Sequence, residues 1–387
     1  MKKIYFDLTA TQPDVDSKRH GGGKYGEVLL KRIIERGLPL ICGYDSRRWL
    51  NPDIKHLIHD KNIPLFDVCK TSENEIIKNE GIELYYTASV TNEKLKLNCC
   101  DVIGTLHGLR GLETPVDVWS LKYRPYFRNL KLYIKNKLRL KILHSKYRMM
   151  LGDIKLLKAI CDSAHFKIVT VSFHSAYSIK SYYADFRMKD IPVFYPPSTT
   201  SDNTPVTKYT DKYFLLVSAN RTYKNCLRAI VALDELFSEG GFDGYNVKVT
   251  GVCAPSIYRY KIKNKDRFNF MGFVDDDELE QLNHDAYCLI YPSLNEGFGY
   301  PPLEAMRYGI PVIASPLTSI SEVCGESVIY FNPFSIEELK SRLLMMTDTE
   351  IHKQYSKKGY SRYLTIHEKQ EKDLDLLIDY VYNIKRQ

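Results

Sequence analysis

This sequence lacks the features that would assign it to a membrane-spanning or a disulfide-bonded class. No stretch of its 387 residues reaches the roughly 18 to 20 consecutive apolar residues of a membrane helix, which excludes a spanning protein. Its nine cysteines are scattered and include no C-x-x-C pair, so they suit neither a disulfide framework nor a zinc site. The N-terminal segment turns polar too early for a signal peptide. We therefore expect a cytoplasmic protein with reduced thiols.

Acidic residues are missing from one long segment. Residues 121–150 contain ten Lys and Arg and no Asp or Glu, and residues 1–200 carry a net charge of +12 (33 Lys and Arg against 21 Asp and Glu). Apolar residues recur there every three or four positions, which is typical of an amphipathic helix. Four interpretations stay open: contact with an anionic membrane surface, binding of a phosphate-rich acceptor, binding of nucleic acid, or packing on its own domain. No nucleic-acid module is visible, so we expect no nucleic-acid partner.

The pattern of elements predicts two domains in tandem. Strand-like and helix-like segments alternate along both halves, which indicates parallel sheets covered by helices, an α/β class. A break at residues 193–205, with three prolines and a polar cluster, is typical of an interdomain linker. We predict a first Rossmann-like domain over 1–200 and a second over 206–364.

Residues 287–315 carry the clearest chemical pattern. They predict a strand, a glycine-rich turn, a helix with prolines in its first turn, and a second strand. The start of such a helix favours a phosphate group, and Gly297 and Gly299 allow the backbone to approach a ligand closely. Two carboxylates, Glu296 and Glu304, bracket the turn. Because a carboxylate beside a diphosphate is unfavourable, each is expected to face hydroxyl groups, as a nucleotide sugar would offer.

On these residues the sequence resembles the retaining GT-B glycosyltransferases of glycosyltransferase family 4, whose signature includes the E-x7-E spacing of Glu296 and Glu304. The resemblance implies a GT-B fold, with two Rossmann-like domains facing across a cleft and a C-terminal helix (about 365–387) that returns to the first. It assigns the donor sugar to Glu296, the sugar and phosphate to residues 297–300 (Gly297, Phe298, Gly299 and Tyr300), and the ribose to Glu304.

The family's activity is retaining transfer of a hexose from a nucleotide-diphosphate sugar, UDP- or GDP-linked, to a saccharide or lipid-linked acceptor. The first domain would bind the acceptor. The resemblance implies a role in bacterial surface polysaccharide synthesis (capsule, O-antigen or lipopolysaccharide). It also implies a location in the cytoplasm or peripherally on the inner membrane face, through 121–150. No metal or other cofactor is expected.

The family resemblance extends to three further segments. Residues 214–225 resemble the turn that opens the family's second domain, where Arg221 and Lys224 would hold the donor diphosphate and stabilise the leaving group. His107, followed here by Gly108 where the family often has an acidic residue, would lie near the sugar. Gly22 and Gly23 resemble the family's first glycine loop, against the diphosphate and acceptor. The residues expected to take part in catalysis are Glu296, His107, Lys224 and Arg221.

Two alternative functions remain. Gly21, Gly23 and Gly26 spell G-x-G-x-x-G, with Asp45 nineteen residues later, as in an NAD(P)-dependent oxidoreductase. That fingerprint requires its glycines directly after the first strand, whereas polar residues intervene here. The second alternative is a catalytically inactive GT-B protein that only binds a sugar nucleotide.

A run of three aspartates, residues 275–277, resembles a metal-binding D-x-D. Glu278 follows Asp275 by three residues and precedes an apolar pattern, so a helix N-cap is the better interpretation.

Overall fold

The computed structural model describes residues 3–13, 21–91, 94–123, 144–198 and 212–383. The chain divides into two compact units. The first unit comprises Met1–Leu109, Gly152–Asp202 and His367–Gln387, and the second comprises Arg110–Leu151 and Asn203–Ile366.

Strands and helices alternate in both units. The strands of the described residues are β1 Ile4–Asp7, β2 Leu40–Tyr44, β3 Leu65–Asp67, β4 Leu84–Thr87, β5 Asp101–Leu106, β6 Phe166–Thr170, β7 Tyr213–Leu216, β8 Asn246–Thr250, β9 Phe268–Gly272, β10 Cys288–Tyr291, β11 Val312–Ala314 and β12 Ile329–Tyr330. The α-helices are α1 Gly21–Glu35, α2 Pro52–Asp60, α3 Glu73–Asn79, α4 Arg110–Glu113, α5 His144–Asp162, α6 Phe173–Tyr182, α7 Cys226–Ser238, α8 Asp276–Asp285, α9 Tyr300–Arg307, α10 Ser319–Cys324, α11 Ile336–Met345 and α12 Thr349–Asn383.

Within the described residues, each unit contains one parallel sheet of six strands. The order is β3-β2-β1-β4-β5-β6 in the first unit and β12-β11-β10-β7-β8-β9 in the second. Central strands such as β1 and β7 are buried throughout, because helices cover both faces of a parallel sheet. The predicted α/β class with two Rossmann-like sheets is confirmed. In both sheets the order reverses beside a central strand, and open α/β sheets bind ligands at the carboxyl ends of strands at such points.

The last helix contributes to the core of the first unit. Leu374, Leu377 and Ile378 of α12 are buried in the same cluster as the apolar residues of β1 and α1. On the rim, Arg32 of α1 pairs with two carboxylates of α12, Glu371 and Asp375. The C-terminal part of the chain thus packs on the first unit, as the resemblance implies.

Residues 110–123 group with the second unit, although the sequence assigns them to the first domain. Asp117 forms an ion pair with Arg228 of α7, and Tyr123 packs edge-on against Tyr258 at 5.2 Å. These contacts are specific side-chain pairs between distant positions, which the alternation of strands and helices does not reveal.

The basic segment 121–150 lies mostly outside the described residues, which omit 124–143. Its first described part ends a 3-10 helix, Val118–Lys122, where the Lys122 ammonium lies 3.4 Å from the centre of the Trp119 ring. Its last part begins α5. The interpretations of this segment therefore stay predictions. In the described part of the chain, no helix has the length and apolarity that crossing a bilayer demands.

Candidate active site

A buried ion pair joins two loops at the carboxyl edge of the second sheet. Lys224 ends a 3-10 turn, Thr222–Lys224, that follows β7, and Glu296 lies in the loop after β10. The Lys224 Nζ is 2.7 Å from Glu296 Oε1, and the two side chains are only 8% and 12% exposed. The ammonium also donates to the hydroxyl of Tyr291 at 2.7 Å. Two residues that the sequence assigns to the donor site thus meet, 72 positions apart in the chain.

Burial and the charges of this pair together set the protonation states of Glu296 and Tyr291. Burial alone would raise the pKa of the Glu296 carboxyl, but the charge of Lys224 and hydrogen bonds from Lys224, Ser293 and Tyr291 together hold that pKa below its usual range. The Ser293 hydroxyl also donates to Glu296 Oε1. Burial, followed by the charge of Glu296, holds the pKa of the Tyr291 phenol well above its ordinary value. Glu296 is therefore a carboxylate at neutral pH, and Tyr291 is a neutral hydroxyl.

Backbone contacts fix the loop that carries Glu296. The Glu296 N–H donates to Thr318 Oγ1 at 2.9 Å. The Ser319 hydroxyl, which is buried, is within 3.0 Å of the Glu296 carbonyl and 2.9 Å of the Phe298 carbonyl. Tyr291, Thr318 and Ser319 are functional candidates that the sequence does not predict. Neither serine nor threonine carries a spacing signal, because their role depends on a loop that folds back from the next strand.

The turn before α9 needs a glycine. Gly299 has φ of +109°, a conformation that side chains with a Cβ rarely adopt, and it is the N-cap residue of α9. Pro301 and Pro302 occupy the first turn, as predicted. Since prolines have no N–H, donors from this helix start come from residues other than these two. The ring of Phe298 packs edge-on against Tyr300 at 5.5 Å.

Glu304 and Arg221, two further predicted site residues, differ in their burial and in their contacts. Glu304 lies within α9, half-buried, and its charge contributes to raising the pKa of Tyr291, after the larger effects of burial and Glu296. Arg221 is exposed, and its Nη1 donates to the Tyr223 hydroxyl at 3.0 Å. The structure therefore brings Glu296 and Lys224 together at Tyr291, with Arg221 on the neighbouring Tyr223 and Glu304 in helix α9.

The other predicted site residues lie in the first unit. His107 follows β5, and its Nε2 is 2.8 Å from the Ala88 carbonyl, to which it donates. Its ring contacts Tyr25 edge-on at 5.1 Å. Gly22 and Gly23 lie in the first turn of α1, so these residues are helical where the resemblance implies a glycine loop. Glycine disfavours helices only by about 1 kcal/mol, and the packing of α1 overrides it.

The same helix start weakens the dinucleotide interpretation. Gly21 and Gly26 lie inside α1, and a 3-10 helix, Leu8–Ala10, follows β1 directly. The glycines thus do not form the tight turn after the first strand that the fingerprint requires. Asp45, the matching acidic residue, forms an ion pair with Arg47.

The aspartate run caps a helix. Asp275 Oδ1 accepts from the Glu278 N–H at 2.9 Å at the start of α8, which confirms the predicted N-cap. Among the described residues, no group of three or more His, Cys, Asp and Glu side chains could hold a metal ion.

Comparison with known proteins assigns a family to the segment that holds this site. Residues 199–362 match the family model described as Glycosyl transferases group 1. This segment is thus similar to the glycosyl transferases group 1 family over 164 of the 387 residues. The match includes both Lys224 and Glu296, and a nicotinamide-dependent oxidoreductase is therefore not favoured.

Two curated proteins that are similar to parts of this chain are named mannosyltransferases. Over 174 residues the chain is 34% identical to the O-antigen chain mannosyltransferase RfbU of Salmonella typhimurium, covering 43% of this chain and 46% of that protein. Over 77 residues it is 40% identical to the serotype-specific mannosyltransferase WbdA of Escherichia coli, covering 20% of this chain and 9% of that one. The chain spans less than half the length of these curated relatives.

A solved structure shows the same fold over nearly the whole chain. Alr3699/HepE of Anabaena, in complex with UDP-glucose, has a TM-score of 0.62 at 13% identity, covering 98% of this chain and 100% of that one. The predicted GT-B fold is confirmed.

Proposed function

We propose that this chain is a glycosyltransferase of the group 1 family, specifically a retaining hexosyltransferase that uses a nucleotide-diphosphate sugar. One observation carries the proposal: the buried pair of Lys224 and Glu296 at the carboxyl edge of a parallel sheet, inside the segment that matches the family. A buried ion pair is a costly way to stabilise a fold, so its presence beside a glycine-rich turn favours a role in binding.

Mannose is the transferred sugar that we propose, with GDP as its nucleotide. The support is that RfbU and WbdA are both named mannosyltransferases. The acceptor would be a saccharide or lipid-linked saccharide in surface polysaccharide synthesis, of the O-antigen kind. We place the donor on the domain predicted over 206–364 and the acceptor on that predicted over 1–200, at the cytoplasmic face of the membrane.

The site residues suggest how the donor is held. An ammonium has three N–H donors, and Lys224 uses two of them on Tyr291 and Glu296, so the third can turn to a phosphate oxygen. Glu296, a carboxylate at neutral pH, accepts hydrogen bonds from sugar hydroxyls. Glu304 would accept those of the ribose. Gly299, with no Cβ, lets the backbone approach the sugar and phosphate.

In the proposed reaction, the bond between the anomeric carbon and the diphosphate oxygen breaks while a bond to the acceptor oxygen forms on the same face. The proton of the acceptor hydroxyl passes to the departing phosphate oxygen. Lys224 and Arg221 stabilise the charge that develops on the leaving group. His107 is proposed to lie near the sugar, and Gly22 and Gly23 near the diphosphate. No metal is required in this scheme.

A thermal-shift screen tests the proposal. Because a ligand that binds only the folded state stabilises it by about 2.7 kcal/mol at a hundredfold excess over its Kd, GDP-mannose is expected to raise the melting temperature. UDP-glucose, ADP-glucose and NAD complete the panel. E296Q is expected to reduce the shift with GDP-mannose, whereas the control E326Q, at an exposed glutamate of the same unit, should retain it. A shift with NAD alone would refute the transferase proposal.

A further inference from the structure

Three basic side chains lie close to Tyr223, the residue that directly precedes Lys224. The Arg110 guanidinium carbon lies 4.3 Å from the centre of the Tyr223 ring, and the Lys224 Nζ lies 5.8 Å from it. Arg221 donates to the hydroxyl of the same tyrosine at 3.0 Å. All of these residues belong to the second unit. We call Arg110, Arg221 and Lys224 the cation cluster.

The cation cluster carries more positive charge than its direct partners neutralise. Lys224 is paired with Glu296, but no carboxylate among the described residues lies within ion-pair distance of Arg110 or Arg221. Both arginines are exposed. Like charges gathered on one ring repel each other, and an anion bound between them would relieve that repulsion.

The fold holds Arg110 in this place. Arg110 begins the 110–123 segment, which is attached to the second unit by an ion pair between Asp117 and Arg228 at 2.6 Å, with side chains 11% and 5% exposed. Glu113, one helical turn after Arg110, accepts from the amide of Asn295 at 2.9 Å, and Asn295 directly precedes Glu296. The segment therefore contacts both loops that carry the buried pair.

We infer that Arg110 is a donor-binding residue that contacts the diphosphate of the nucleotide sugar. The planar guanidinium presents a fork of N–H groups that matches phosphate oxygens, and stacking on Tyr223 fixes its plane. The 110–123 segment is thus part of the donor site, which neither the spacing nor the family motif at 287–315 reveals. This inference rests on the proposed function, because it deepens the assignment of the same site.

Nucleotide affinity in the full-length chain tests this inference, by calorimetry with GDP, GMP, UDP and UMP at low salt. For the diphosphate that the wild type binds, R110Q is expected to weaken affinity about tenfold, as the loss of a charge-assisted hydrogen bond implies. The affinity of R110Q for the matching monophosphate, which lacks the second phosphate, should fall by about twofold or less. R110K keeps the positive charge but lacks the fork of N–H groups. Its affinity for the diphosphate should therefore lie between those of the wild type and R110Q. R187Q, at an exposed arginine of the first unit, is the control and should bind like the wild type.

The outcomes separate this inference from the proposed function. If the wild type binds a diphosphate and R110Q binds it equally well, Arg110 is no donor-binding residue, and the proposed function stands. If R110Q instead lowers only the urea midpoint of unfolding, Arg110 has a structural stacking role, which also overturns the inference. A wild-type chain that binds none of the four nucleotides would refute both.

Discussion

Replacing Lys224 by Met would leave the Glu296 carboxylate buried without its cation. Removing one partner of a buried ion pair typically costs about 3 to 5 kcal/mol. The Lys224 and Glu296 side chains are 8% and 12% exposed, so the cost should lie at the low end of this range. We expect K224M to lower the free energy of unfolding by about 3 kcal/mol at pH 7.5. In the double variant K224M/E296Q no charge is stranded, and we expect a coupling of about 2 kcal/mol between the two substitutions.

The penalty of K224M should depend on pH, and its sign follows from the pKa of Glu296. In the wild type that pKa is lowered, so the pair stabilises the fold above the unfolded value of about 4.3, and the contribution is lost as pH falls through the folded pKa. In K224M burial acts without the ammonium and raises the pKa above about 4.3. The variant then loses stability as pH rises from that value. The difference in free energy of unfolding between the wild type and K224M therefore increases from pH 4.5 to 7.5.

Urea unfolding followed by tryptophan fluorescence measures this gap. The chain has two tryptophans, and on a W49F background Trp119, in the second unit, reports on the unit that holds the pair. W49F alone is the reference. A gap between reference and K224M that stays the same from pH 4.5 to 7.5, or that is absent, would refute the view that Lys224 controls the ionisation of Glu296.

Three further substitutions test residues that support the loops and the 110–123 segment around the Lys224–Glu296 pair. G299A should lower the free energy of unfolding by about 1 to 2 kcal/mol, since φ is +109° there and the nearest atom to an added Cβ is 4.0 Å away, so the cost is backbone strain alone. D117N leaves Arg228 buried without a carboxylate and should cost about 3 kcal/mol in urea unfolding. E113A should raise the KM for the donor about threefold by releasing Asn295, whereas E113Q keeps an acceptor oxygen and should restore it.

Matched controls accompany these variants. G152A replaces a glycine inside α5 with open space around it and should leave stability unchanged or raise it by about 1 kcal/mol. D243N changes an exposed aspartate of the second unit and should be neutral within about 0.5 kcal/mol. A G299A protein as stable as the wild type, a neutral D117N, or an E113Q no better than E113A would each contradict the corresponding assignment.

The sequence reveals the parts of the fold that depend on local patterns. The strand, glycine turn and proline-capped helix around Glu296 follow from residue types at fixed spacing, and the structure contains all three in the predicted order. Asp275 as an N-cap is equally local. A short strand such as β3 (Leu65–Asp67) is not evident from the sequence, because three residues carry no periodic signal.

Contacts between positions far apart in the chain could not be predicted from the sequence. Nothing in the spacing pairs Lys224 with Glu296 specifically, or Asp117 with Arg228, since each pair forms only when two loops or segments meet in the folded unit. The glycines at the start of α1 illustrate the opposite error, because a local preference for a loop yielded to the packing of the helix on the sheet. The family resemblance supplied the residue roles that physical patterns alone left open.

Transfer of mannose is the measurement that tests the central claim most directly. Wild type, E296A and E326Q would be incubated with radiolabelled GDP-mannose and octyl glycosides of mannose, galactose and N-acetylglucosamine, and the products analysed by chromatography and by NMR of the new linkage. We expect the wild type and E326Q to form an α-linked product, with the donor's anomeric configuration retained, and E296A to be at least about 100-fold slower. An E296A enzyme with normal turnover, a product of inverted configuration, or a wild type that transfers nothing from GDP-mannose would contradict the account.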